Sequence, residues 1–195
     1  MKRAKGKVVD AKDNGGFHNL RGYKSAVAML QAHDYIKPCL YHLCFTDADT
    51  KEPYLAALKA LTEHLRKNNI RCQYRAALEI SQKGQLHMHV FVLAEAAKNV
   101  PDHILNRKND EWLALLCLRK GIDFYLNPPR GALHRTKDGA QKNYATVPKT
   151  KADKIEDCCT WISYLYKYRD KPKEGTVYFS SRPDRELNPT PGSLL

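Results

Sequence analysis

The segment Leu86–Leu93, with the sequence LHMHVFVL, constrains the fold of this chain more than any other. Its β-branched and apolar residues, entered through the turn-like segment 82–85, predict a β-strand. Side chains alternate across a strand, so His87 and His89 lie on one face, about 6.6 Å apart along the strand axis. The opposite face is apolar throughout and carries Leu86, Met88, Val90 and Val92. We therefore expect one face of this strand to pack in a core and the other to carry chemistry.

Length and charge restrict the class of protein. The chain has 195 residues, enough for one domain with a real hydrophobic core. Its 33 Lys and Arg against 21 Asp and Glu give a net charge of +12, which favours a polyanionic partner, nucleic acid first. Membrane binding is disfavoured because no apolar run is long enough to span a bilayer. Six cysteines without a Cys-x-x-Cys spacing, and an N-terminus without the apolar segment of a secretory signal, predict a reducing cytoplasm.

The order of periodic segments predicts an α+β fold, with helices packed on a central antiparallel sheet that carries the His-x-His strand. Helices are predicted at 25–35, 53–69, 101–120 and 152–171, strands at 39–46, 70–80, 86–93, 122–126 and 176–180, and a basic loop at 127–151. The domain is expected to span 25–182, between a basic tail at 1–24 and an irregular tail at 183–195. His42, on the first strand, is expected to be structural.

The pairing of the second and third strands predicts a third side chain beside the histidines. Their apolar rows share a core face only if the hairpin turn is centred on Lys83, because a slip of one residue would turn one row to the other side. In that register Glu79 lies directly opposite His87. Glu79, His87 and His89 would then form a three-ligand face. Two imidazoles and one carboxylate with open coordination positions suit Mn²⁺ or Mg²⁺ as a Lewis acid. The alternative is that the His-x-His pair is structural.

The last predicted helix carries a candidate nucleophile. Tyr164, Lys167, Tyr168 and Lys171 are spaced to project from one face of a helix, whereas Tyr166 falls near the apolar stripe and is assigned to packing. A phenol is a poor nucleophile at its ordinary pKa of about 10, and a neighbouring ammonium favours the phenolate. A lysine one turn from a tyrosine is therefore a sensible catalytic partner. The alternative is an amphipathic helix with tyrosines at its boundary.

Taken together, these elements resemble the HUH endonucleases, which include rolling-circle replication initiators, relaxases and transposases. The resemblance covers roughly residues 38–182. The spacing of Trp112, the Tyr164-x-x-Lys167 motif and the segment 179–181 is most similar to initiators of the filamentous-phage (inovirus) type. The pair Tyr164 and Tyr168 also resembles the two-tyrosine initiators of isometric single-stranded DNA phages. The fold implied is of the Rep type, with a ferredoxin- or RRM-like sheet.

The resemblance implies a reaction and its participants. A divalent metal, Mn²⁺ or Mg²⁺, held by His87, His89 and Glu79 would polarise a phosphodiester of single-stranded DNA at an origin or hairpin. Tyr164 would attack it to give a 5′-phosphotyrosine and a free 3′-OH, with Lys167 stabilising charge and Tyr168 acting in a later strand transfer. A host helicase and polymerase in the bacterial cytoplasm would complete replication.

Such an enzyme needs a basic groove with aromatic side chains for the DNA strand. Candidates for this groove are Arg71, Arg75, Lys137, Lys142, Tyr144, Lys149, Lys151 and Lys171. Two alternatives stay open at this point. The first is a transposase or relaxase of the same superfamily, and the second is a basic nucleic-acid-binding module without catalytic activity.

Overall fold

The computed structural model describes residues 19–96, 105, 111–129, 142–167, 170–173 and 175–181. The helices are α1 (Leu20–Ala32), α2 (Glu52–Lys67), α3 (Glu111–Arg119) and α4 (Ala152–Ser163), the last continued by a 3₁₀ turn (Tyr164–Tyr166). The strands are β1 (Pro38–Thr46), β2 (Cys72–Ile80), β3 (Leu86–Glu95), β4 (Asp123–Leu126), β5 (Tyr144–Thr146) and β6 (Tyr178–Ser180). Predictions for the two tails beyond the described range, for the start of the helix at 101–120 and for Lys137 and Tyr168 lie outside the described residues.

The predicted α+β class is confirmed, because the described strands form one six-stranded antiparallel sheet with helices packed on it. The strand order is β4-β1-β3-β2-β6, and β5 pairs with β1 beside β4. Strand β3 therefore lies inside the sheet, with hydrogen-bonded neighbours on both sides. The prediction that all of 127–151 is a loop is wrong at β5, since three residues are too few to show the alternation of a strand.

Both faces of the sheet are covered for most of their length. On one face Phe45, Met88 and Val90 pack against Leu58 and Leu113 of helices α2 and α3. On the other face, which carries the histidines, Phe91 and Leu93 pack with residues of α1 and α4, among them Leu30, Cys158 and Ile162. We expected one face of β3 to pack in a core and the other to carry functional side chains. This holds only at the Leu86 end of β3, because Phe91 and Leu93, which follow the histidines on the same face, are apolar and buried.

The last helix is shorter than the sequence predicts. Helix α4 ends at Ser163, the 3₁₀ turn ends at Tyr166, and Lys167 is extended with φ −61° and ψ 150°. Asp170 then adopts a left-handed conformation with φ 69°. The prediction of a single helix over 152–171 is therefore wrong after the 3₁₀ turn. The reason is tertiary, because ion pairs to the sheet described below override the local helix propensity of this segment.

Two further sequence-based expectations concern disulfide bonds and membrane-spanning helices. All six cysteines are buried and none of them forms a disulfide, in agreement with the expectation against a disulfide framework. Within the part of the chain that the structure describes, no helix is both long and apolar enough to cross a bilayer.

Candidate metal centre and its tyrosine

The hairpin of β2 and β3 has the register that the apolar rows predict. Glu79 pairs with His87, and Ala77 pairs with His89. The turn is closed by hydrogen bonds of Ser81 with the Gln85 segment, and Gly84 adopts a φ of 78° that favours glycine. Because paired residues share a face of the sheet, Glu79 and both histidines project together. The predicted arrangement of the three side chains is confirmed.

The three side chains converge on one point. The Nε2 atom of His89 lies 3.5 Å from Oε2 of Glu79, and the Nε2 atom of His87 lies 3.8 Å from the same oxygen. One ligand atom from each residue lies within 4.8 Å of the other two. Glu79 is 1% exposed and His89 is 5% exposed, so the group sits in a partly desolvated site. Two imidazoles and a carboxylate in this arrangement could hold a metal ion.

His42 is part of this cluster, although the sequence analysis assigns it a structural role. Its Nε2 atom lies 2.9 Å from Nδ1 of His89, and its ring stacks on Phe91 with centroids 4.1 Å apart. This contact leaves Nε2 of His89 directed at Glu79. A second hydrogen-bonded group of this kind commonly orients a metal-binding histidine. The pairing of β1 with β3 places His42 diagonally across from His89. A prediction of this pairing from the sequence would have grouped the two histidines.

Two lysines from the segment after helix α4 neutralise Glu79. The Nζ atom of Lys171 lies 2.6 Å from Oε1, and the Nζ atom of Lys167 lies 3.0 Å from Oε2. Lys167 also lies 3.2 Å from Oδ2 of Asp170, a partner that the sequence analysis did not single out. Both lysine side chains are almost completely buried, at 5% and 2% exposure. The ammonium of Lys167 therefore contacts the same carboxylate oxygen that faces the imidazoles.

The charge states of the cluster follow from burial and neighbouring charges. Burial alone would raise the pKa of Glu79, but the His87 imidazole and the charge of Lys171 outweigh it and lower that pKa to about 2. Burial lowers the pKa of His89 to about 4, in spite of the attraction of Glu79. Burial would lower the pKa of Lys167, but Glu79 and Tyr164 raise it. At neutral pH the carboxylate is thus ionised and the His89 imidazole is neutral, which are the protonation states that ligate metals.

Tyr164 lies against this cluster. Its ring centroid is 5.2 Å from that of His89 and 6.3 Å from that of His42. The Nζ atom of Lys167 sits 3.7 Å from the centre of the Tyr164 ring. The helical spacing used to place these side chains together is not present, because the helix has ended. The 3₁₀ turn and the extended Lys167 nevertheless bring the phenol, the ammonium and the Glu79–His pair together.

Tyr166, two residues later, lies in the core. It is 3% exposed, stacks on Tyr178 with centroids 5.4 Å apart and makes an edge contact with Tyr23. Its assignment to packing is confirmed. The turn therefore directs Tyr164 to the cluster and Tyr166 to the core beneath α1 and α4.

The candidates for a basic groove occupy different environments. Arg71 lies 2.6 Å from Asp34 and 3.8 Å from Glu95. It directly precedes β2, about 26 Å along the chain from Glu79. Arg75 is 6% exposed, so its guanidinium is buried and does not lie in an open basic groove as the sequence predicts. Lys171 is buried at Glu79, as described above.

The remaining candidates come from the segment before α4. Lys142 lies over the ring of Tyr144 at 5.6 Å, and Tyr144 packs against Tyr41 on the sheet. Lys149 and Lys151 are exposed at the start of helix α4. Within the described residues, none of these side chains contacts Glu79, His87 or His89.

Comparison of the chain with protein-family models, with curated proteins and with solved structures finds no match.

Proposed function

We propose that this chain is a metal-dependent, single-stranded DNA endonuclease and strand transferase that uses Tyr164 as its nucleophile. The observation that carries the proposal is the position of the Tyr164 ring, 5.2 Å from the His89 ring of a group that could hold a metal ion. A phenol beside two imidazoles, a carboxylate and a lysine is the set of groups that transfer of a phosphodiester to tyrosine requires. The net charge of +12 supports a nucleic-acid substrate.

His87, His89 and Glu79 are the residues that would hold the metal. When bound there, a divalent ion would supply positive charge that polarises a phosphodiester oxygen. The fit rests on the donor set and on the His42 contact, which keeps Nε2 of His89 directed at Glu79. Mn²⁺ and Mg²⁺ are the ions proposed, because a mixed nitrogen and oxygen set with open positions suits them.

The covalent step uses Tyr164. Its hydroxyl oxygen forms a bond to the phosphorus, the bond from phosphorus to the 3′ oxygen breaks, and the phenolic proton passes to solvent while the leaving 3′ oxygen gains one. The products are a 5′-phosphotyrosine and a free 3′-OH. Lys167, 3.7 Å from the centre of the phenol ring, holds positive charge where negative charge develops. Its ion pairs with Glu79 and Asp170 fix that ammonium in place.

The biological role proposed is initiation of rolling-circle replication, as in the HUH endonucleases that the sequence resembles. The free 3′-OH would prime a host polymerase, and a host helicase would separate the strands. Tyr168 as a second nucleophile is part of the same proposal.

The test is a cleavage assay with a single-stranded origin oligonucleotide and Mn²⁺ or Mg²⁺. We expect cleavage and a covalent adduct that migrates with the protein under denaturing conditions. Tyr164→Phe should abolish the adduct, and His87→Ala or His89→Ala should abolish cleavage. Tyr74→Phe is the control, since it removes a tyrosine hydroxyl from the opposite face of β2 and should still form the adduct.

Two outcomes would contradict the proposal. An adduct that persists in Tyr164→Phe would show that another residue is the nucleophile. A protein that binds the oligonucleotide but never cuts it, with either ion, would instead be a nucleic-acid-binding module without this activity.

A further inference from the structure

A cavity separate from the metal cluster lies on the same face of β2 as Glu79. It is a cavity of about 140 Å³, which we call the Arg75 pocket, and its walls include Asn19, Gly22, Ser25, Arg75, Tyr166 and Tyr178. Arg75 and Glu79 are four residues apart on one strand, so the pocket lies about 13 Å along the strand from the metal cluster. The 3₁₀ turn runs between the two sites, because Tyr164 contacts the cluster and Tyr166 lines the pocket.

Arg75 is buried without a carboxylate partner among the residues that the structure describes. The side chain is 6% exposed, and within the described residues its Nη atoms bond only to uncharged groups, the carbonyl of Tyr74 at 2.8 Å and the hydroxyl of Ser25 at 3.3 Å among them. Its Nε atom has no hydrogen-bond partner within the described residues. A guanidinium stays protonated in proteins, so it cannot escape this environment by losing its proton. A buried charge of this kind is costly unless an anion compensates it.

The N-terminus of helix α1 forms another wall of the pocket. Asn19 caps this helix of 13 residues by accepting a hydrogen bond from the backbone N–H of Gly22 at 2.8 Å. The first turn of the helix contains no acidic side chain. The positive end of the helix dipole and the guanidinium therefore act on the same small cavity. Helix N-termini with such a dipole bind phosphate and other anions.

The size and walls of the pocket suit a phosphate group. A cavity of about 150 Å³ accommodates a benzene molecule, so a phosphate group fits into this one. Tyr166 and Tyr178, stacked with centroids 5.4 Å apart, add an aromatic wall beside the guanidinium. Aromatic and arginine side chains side by side are the groups that bind single-stranded nucleic acid.

We propose that the Arg75 pocket binds one phosphate group of a single DNA strand, and that another, non-adjacent phosphodiester of the same strand lies at the Glu79–His87–His89 cluster. The phosphate chemistry stands on the pocket itself, whereas the assignment to a DNA strand rests on the proposed function. The pocket would fix the position of the strand relative to Tyr164 and so select which bond is cut.

The first experiment measures the pocket without DNA or metal. The melting temperature of the full chain is compared in phosphate and in chloride at the same ionic strength. We expect phosphate to raise it, since a ligand that binds only the folded state stabilises that state. Ser25→Asp places a carboxylate next to Arg75 and should abolish the effect while keeping the fold. Ser25→Ala is the control and should retain it. Arg75→Gln should also abolish it, and Ser25→Asp keeps the test valid if Arg75→Gln does not fold.

The second experiment distinguishes the source of the phosphate. Binding of a labelled single-stranded oligonucleotide is measured against salt concentration, and inorganic phosphate is added as a competitor. We expect Ser25→Asp to weaken oligonucleotide binding about tenfold or more. The slope of log affinity against log salt concentration should also become less steep by about one, because one phosphate contact is lost.

The outcomes separate this proposal from the proposed function. If phosphate does not raise the melting temperature, or if Ser25→Asp retains the full effect, the pocket is not a phosphate site, whatever the cleavage assay shows. If phosphate binds there but Ser25→Asp leaves oligonucleotide binding unchanged, the pocket takes a free phosphorylated compound and its assignment to the DNA strand is wrong. A loss of cleavage activity alone would bear only on the cluster.

Discussion

His42 and His89 share a hydrogen bond of 2.9 Å between Nε2 of the first and Nδ1 of the second. The two rings come from neighbouring strands, β1 and β3, and His42 is 4% exposed. Only one of the two nitrogens can carry the shared proton, and the bond fixes the His89 ring with Nε2 toward Glu79. His42 thus orients a candidate metal ligand without facing the metal position itself.

Removal of His42 should weaken metal binding. We expect His42→Leu to lower the Mn²⁺ affinity of the full chain by about 10- to 100-fold, as for other groups that orient a metal-binding histidine. Isothermal titration calorimetry measures the affinity directly. His33→Gln is the matched control, because His33 is also buried but bonds to the carbonyl of Val147. An unchanged affinity in His42→Leu would contradict the orienting role.

Removal of the Lys167 ammonium should have opposite effects on metal binding and on cleavage. Lys167 lies 3.0 Å from the carboxylate oxygen that faces the imidazoles, so its charge competes with a cation there. We expect Lys167→Gln to bind Mn²⁺ several-fold more tightly and to form the tyrosine adduct more slowly. Affinity is measured by calorimetry and adduct formation by gel. The exposed Lys59 of helix α2, changed to Gln, is the control for loss of one charge. Weaker Mn²⁺ binding in Lys167→Gln would refute the competition.

Neutralising Glu79 should destabilise the metal-free protein. Glu79→Gln leaves the Lys171 ammonium buried, with a side-chain exposure of 2%, and without its carboxylate partner. Loss of one member of a buried ion pair costs about 3–5 kcal/mol of the free energy of unfolding. The double variant Glu79→Gln, Lys171→Met should recover most of this loss, because no uncompensated charge is left at Lys171. Urea denaturation measures both. A Glu79→Gln protein as stable as the wild type would contradict the buried ion pair.

Acidification should destabilise the metal-free protein in two ranges of pH. The pKa of His89 is lowered by burial from 6.5 to about 4, so between these values the unfolded chain binds a proton that the folded chain does not. Stability therefore falls as the pH decreases through this range. The pKa of Glu79 is lowered from 4.5 to about 2, so stability continues to fall below pH 4.5. Each group contributes at most roughly 3 kcal/mol.

The His89 contribution can be isolated by substitution. His89→Gln should make the free energy of unfolding depend less steeply on pH between 6.5 and 4, and leave the decline below 4.5 in place. Part of the decline above 4.5 should remain, because burial also lowers the pKa of His42 and of His33. Urea titrations at a series of pH values give this profile. A decline of the same steepness above pH 4.5 in His89→Gln would assign that range to another group.

Local patterns in the sequence were sufficient for the sheet and for part of the site. The alternation of β2 and β3 predicted both strands and their register, because a shift of one residue would have exposed the apolar row of one of them. The sequence alone therefore predicts that Glu79 lies opposite His87. The three-residue strand β5 was missed because its residues pair only through contact with β1, which lies about a hundred residues earlier in the chain.

What the sequence determined by itself is the two-residue period of the β2–β3 hairpin, and with it the grouping of Glu79, His87 and His89, since those interactions are local. Tertiary structure alone decided the rest of the site. It ended helix α4 early, so that Lys167 and Lys171 reach Glu79, and it set His42 against His89. Helix propensity acts over a few neighbouring residues, whereas the attraction between a buried carboxylate and two ammonium groups acts between segments about ninety residues apart.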